Sequence, residues 1–182
     1  MRFSPIEVQE LGKAWLALTI AFTILFRPQL GIFPSLAYSI IIVGLAFLLH
    51  EIAHKFTAQW YNCWAEFRSN TIMLFVAILS SFFGIIIAAP GGVHIRGAIS
   101  VAREGKIALA GPTTNIILAI LFQIVSFIPF IETFGILGAR INIWLALFNL
   151  LPFPGFDGET VMKWDKTWYF SVLAVAIIIG FF

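Results

Sequence analysis

"TIMLFVAILSSFFGIIIAAPGGVHI", residues 71–95, decides how the chain is threaded. Its first half is apolar and suits a helix, Gly84 interrupts it, and the Ile-rich part that follows favours extended structure. Such a segment can cross a bilayer once, or enter it and return. The rest of the chain fixes the setting. Of 182 residues, 60% are hydrophobic and 11% charged, against roughly 45–50% and 25% in soluble domains. Further apolar segments fall at about 14–26, 36–57, 107–130, 136–151 and 167–182. The composition implies an all-α polytopic membrane protein, one membrane-embedded domain over residues 1–182, with the first apolar run retained as a span because no small-residue cleavage site follows it.

Charge chooses between the two threadings, because cytoplasmic connectors concentrate Lys and Arg. If 71–89 spans, Arg2, Lys13, Lys55, Arg68 and Arg140 face Arg27, Arg96, Arg103, Lys106, Lys163 and Lys166, which is no bias. If the segment is re-entrant over about 71–96, only Arg27 and Arg140 lie opposite the other nine. The bias predicts five transmembrane helices, a cytoplasmic N-terminus, and a re-entrant element opening to the cytoplasmic side. Unpaired backbone at membrane depth is tolerated only when buried in protein or lining a wet cavity. The threading therefore requires such a cavity.

The net charge of +2 is spread over short connectors, with no basic stripe that would suit nucleic acid. Lipid and other membrane segments are the expected partners. Cys63, the single cysteine, cannot form an internal disulfide. Trp15, Trp60, Trp64, Trp164 and Trp168 fall near predicted span ends and read as interfacial belt residues.

Into this apolar chain the second span places "HEIAH", residues 50–54. His50 and His54, four residues apart, project from one helix face, with Glu51 beside them; the pattern is a zinc-hydrolase signature. His50 would lie roughly 12 Å below the cytoplasmic surface at 1.5 Å per residue, where an ionisable group is expensive and usually functional. A catalytic zinc generally takes three protein ligands. Asp157, His94 and Glu159 are the available candidates for the third. Asp157 follows "NLLPFPGF", whose prolines stop the preceding helix within the membrane. His94 and Glu159 read more simply as solvated residues.

The chain resembles the site-2 protease family of intramembrane zinc metalloproteases. The likeness rests on "HEIAH", on "NLLPFPGFDG" about a hundred residues later, and on "AGPTTN" at 110–115. It implies Zn2+ bound by His50, His54 and Asp157, with Glu51 as catalytic base, and transmembrane proteins as substrates. It also implies a re-entrant, β-rich element between core spans. Glu159 stands where many members have Gly, and no PDZ or CBS domain is expected. Asn149 and Asn115, within two of these motifs, are candidate substrate or oxyanion contacts.

A metal-ion transporter using the same ligands, and a silent homologue that binds membrane helices, are the rival readings. A prenyl-protein-type metalloprotease fits less well, because its third ligand would be a downstream Glu.

Overall fold

A computed structural model describes residues 2–87, 90–97 and 99–181. Helix α1 (Pro5–Leu30) opens on Ser4, whose hydroxyl accepts from the Glu7 amide at 3.1 Å, with Pro5 at the first helical position. After Gly31 the chain runs on as α2 (Ile32–Trp60). From Ser39 to Leu48 this helix widens into π-type turns, an irregularity common near functional sites, and it ends just before His50. Helices α4 (Val101–Val125) and α5 (Glu132–Asn149) form the second long pair.

Among the described residues, four helical segments are long and apolar enough to cross a bilayer: Pro5–Leu30, Ile32–Trp60, Val101–Val125 and Pro129–Asn149. The last long helix, α7 (Lys166–Gly180), has 15 residues, about 22 Å at 1.5 Å per residue. Phe33, Phe83 and Phe130 are 82%, 85% and 98% exposed. Apolar exposure on this scale is explained by lipid, not water. The chain is an all-α polytopic membrane protein.

The opening segment is settled by a feature the sequence reading lacked. Strand β1 (Trp64–Ser69) pairs antiparallel with β2 (Gly91–Arg96), Ser69 opposite Gly91. The Asn70 amide continues the ladder to the Pro90 carbonyl at 2.9 Å. Residues 70 and 90 are thus neighbours, so whatever lies between them leaves and returns at one level. Helix α3 (Thr71–Ser81) goes in, capped by Asn70, and a turn at Gly84 with φ of 79° reverses the chain. The segment is re-entrant. The regular strand, however, begins at Gly91 rather than in the Ile run; of that run's surroundings, Ala88 and Ala89 fall outside the described residues.

One charge assignment changes. Lys55, counted above as a connector charge, is 2% exposed and paired with Glu7; without it the bias is still strongly one-sided. Trp15 donates its indole N–H to the Ile40 carbonyl at 3.1 Å. It joins α1 to the widened part of α2.

Candidate metal centre

The two histidines stand one turn apart on α2, Nε2 to Nε2 3.0 Å. Helix α4 holds both from behind. His54 Nδ1 lies 2.7 Å from the Ile107 carbonyl, and His50 Nδ1 lies 2.6 Å from Asn115 Oδ1. A carbonyl can only accept, so His54 carries its proton on Nδ1. Asn115 Nδ2 donates to the Ala46 carbonyl and to Asn142 Oδ1, both at 3.0 Å. Its oxygen is therefore the atom that faces His50, which fixes the same tautomer there. Both Nε2 atoms are left as acceptors that converge on one spot. Gly111 makes this approach possible: a Cβ there would fall 2.6 Å from His50 Nε2 and collide with His54 as well.

Asp157 arrives from the other side. Helix α5 stops after Asn149, and Pro152 and Pro154 carry no amide donor to prolong it. Gly155 turns the chain with φ of 92°, and α6 (Asp157–Trp164) begins. The break is pinned where Tyr169 Oη donates to the Leu150 carbonyl at 3.0 Å. Gly158 packs so tightly on that carbonyl that no Cβ would fit. Asp157 Oδ2 then sits 3.4 Å from His50 Nε2 and 3.2 Å from His54 Nε2.

The donor set tests its own fit to a metal. With both imidazoles neutral in the tautomer just assigned, two imine lone pairs and a carboxylate oxygen would repel one another at these distances. Asp157 Oδ2 is a buried atom without a hydrogen-bond partner. A cation at the centre resolves this, and ligand atoms about 2.0–2.1 Å from a tetrahedral zinc lie roughly 3.4 Å apart, close to the edges of this triangle. Among the described residues, this is the one group of His, Cys, Asp and Glu side chains that converges in this way.

Glu51 is 7% exposed, and its Oε2 also lacks a partner. Two cavities meet at it. One, about 200 Å3, is lined by apolar residues including Phe22, Phe47, Trp144 and Phe148. The other, about 260 Å3, holds His54, Asp157, Glu104 and Thr160. His50, Glu51, Asn149, Gly91 and Gly155 line both. A mainly apolar and a more polar cavity thus meet at the same carboxylate.

Of the other sequence candidates, Asn149 stands at the junction of these cavities, its amide donating to the Leu145 carbonyl at 3.0 Å. Asn115 is fully buried, with its amide group bonded to His50, Ala46 and Asn142. His94 lies on β2, exposed and opposite Glu66. Glu159 bonds Lys163 at 2.6 Å on the surface, which holds its carboxyl below the usual range.

Comparison with known proteins follows the geometry. Over 170 residues, 90% of this chain, it is 40% identical to MJ0611 of Methanocaldococcus jannaschii, which carries a provisional zinc metalloprotease name and is covered over 87% of its length. The chain belongs to the site-2 protease family of metalloproteases. Two more distant relatives are also provisionally named zinc metalloproteases. YwhC of Bacillus subtilis is 26% identical over 69% of this chain and 68% of its own. Rip2 of Mycobacterium tuberculosis is 28% identical over 63% of this chain and 52% of its own. No family model matches the chain, and no solved structure does.

Proposed function

We propose that residues 1–182 form one membrane-embedded zinc endopeptidase domain that cuts peptide bonds in or near transmembrane segments of other proteins, entered from the cytoplasmic side. His50, His54 and Asp157 would hold a single Zn2+. The observation that carries this reading is the lone-pair triangle itself, with Glu51 beside it at the meeting point of two cavities. Bound there, zinc supplies a Lewis acid that activates water and polarises the scissile carbonyl.

The chain's own groups do the rest. Asn115 and the Ile107 carbonyl keep both imidazoles in the one tautomer able to bind metal. Glu51 takes the proton from the attacking water and returns it to the leaving amine. Asn149, at the cavity junction, would offer its second amide proton, the one not bonded to the Leu145 carbonyl, to a substrate carbonyl. A helical substrate hides its peptide bonds, so it must unwind locally. The β2 strand, whose Gly91, Val93 and Ile95 line the polar cavity, offers an edge to which the unwound stretch can add by hydrogen bonding.

Glu51→Gln separates this reading from metal transport. Purified in detergent, the variant should keep its zinc and fail to cut any of a panel of single-span substrates that wild type cuts. Undiminished cleavage by Glu51→Gln, or zinc flux through wild type in proteoliposomes, would refute it.

A further inference from the structure

The buried ion pair between Glu7 and Lys55 lies outside the metal centre and has no part in the chemistry proposed above. Lys55 Nζ reaches Glu7 Oε1 at 2.9 Å and Oε2 at 2.7 Å, with side chains 3% and 1% exposed. Burying two charges is costly unless every proton and lone pair is used, and here the remaining bonds all go to one place. Lys55 Nζ also donates to the Ala65 carbonyl at 2.7 Å. Glu7 Oε1 accepts from the Phe67 amide at 3.0 Å. One turn further along α1, Glu10 accepts from the Ser69 amide at 3.1 Å and from the Ser69 hydroxyl.

Residues 65, 67 and 69 alternate along β1. Their amides and carbonyls point at α1 and α2, so they cannot also point at β2. In an antiparallel pair, bonded and non-bonded positions alternate. The ladder between the strands must therefore run through Trp64 with Arg96, Glu66 with His94 and Arg68 with Gly92, in the observed register. The Asn70 to Pro90 bond keeps the same parity. It follows that Gly91, Val93 and Ile95 turn their backbone groups to the other edge of the sheet, and these three residues line the metal cavity.

A two-stranded sheet has two edges, and an unguarded edge accepts any extended chain. We propose that Glu7, Glu10 and Lys55 are positioning residues that cap the β1 edge with side-chain hydrogen bonds. The cap leaves the β2 edge, beside the metal ligands, as the sheet's one docking strand, and locks its register against α2. This inference rests on the proteolytic reading above. It adds that selection of the docking edge is built into α1 and into Lys55, the residue that follows His54 on α2.

Removing Glu7 alone would strand a buried ammonium and endanger folding. The test therefore uses two milder variants of the full chain, Glu10→Ala and the neutral pair Glu7→Gln with Lys55→Met, in detergent micelles. Amide exchange resolved to single residues, zinc content, and kcat and KM on the single-span panel are measured together. Exchange at Ser69 in the first variant and at Phe67 in the second should accelerate about tenfold, as expected for loss of a charge-assisted bond. KM should rise severalfold with kcat and zinc content held. Unchanged exchange at these amides, or faster exchange with KM unmoved, would overturn the proposal. Loss of zinc and kcat together would also overturn it, since that outcome assigns the groups to support of the metal helix. Full activity of Glu51→Gln would instead sink the proteolytic reading and leave the exchange result standing.

Discussion

Asn115 shows why residue identity underdetermines role. An asparagine in a membrane helix satisfies neighbours as readily as it meets substrate, and only the three-dimensional partners decide. Replacing it with Ala leaves His50 Nδ1 without its acceptor. Zinc affinity should then fall about 10–100-fold, the usual cost of losing such a support; titration against a chelator of known affinity measures it. Gly111→Ala should be harsher, since the added methyl enters the space of both imidazoles. That variant should purify with little zinc by elemental analysis while retaining its helical circular dichroism. The convergence of His50, His54 and Asp157 was legible in the sequence because their types and spacing are tied to a chemistry. The Ile107 carbonyl was not, since a backbone oxygen leaves no mark in the sequence. Lys55 was misread for a related reason: its partner lies 48 residues away, and an isolated Lys at a helix end is ordinarily in solvent.

Among the elements, the re-entrant unit was legible through charge alone. The extended stretch read from the sequence starts earlier than the regular strand, which begins at Gly91, because the Ile run satisfies β-propensity while pairing decides where the ladder forms. β1 went unnoticed, since "WAEFRS" is six residues with a weak alternation. The structure puts the test of substrate docking at Val93. The Val93 amide faces the free edge, so Pro there removes a docking donor without removing a ladder bond, a position where strands tolerate Pro. Val93→Pro should retain zinc and helical content and lose cleavage of every single-span substrate. Retained cleavage would place docking elsewhere. Tyr169→Phe probes the other delivering element. Loss of its bond to the Leu150 carbonyl should lower stability by about 1 kcal/mol, read as an earlier thermal midpoint in micelles.

At the scale of the whole molecule, the account stands on both delivering elements reaching the same leaflet. Single cysteines in a Cys63→Ser background should report this with a membrane-impermeant maleimide. Positions 68 and 96, which flank the sheet, should label from one side of sealed vesicles, and position 130, at the far end of α4 and α5, from the other. Of the five spans expected, four are long and apolar enough to cross among the described residues, and the fifth, α7, has only 15 residues. The re-entrant threading followed from charge, because the membrane potential constrains Lys/Arg placement directly. The packing of α4 behind the histidines did not, because it depends on which helix faces meet. The most direct measurement is zinc K-edge X-ray absorption of the purified wild type beside Asp157→Ala. The account predicts one zinc per chain, with two imidazole nitrogens and carboxylate or water oxygens at about 2.0–2.2 Å, and a lost oxygen ligand with lowered occupancy in the variant. A sulfur shell, a single imidazole, or a spectrum unaltered by Asp157→Ala would contradict it.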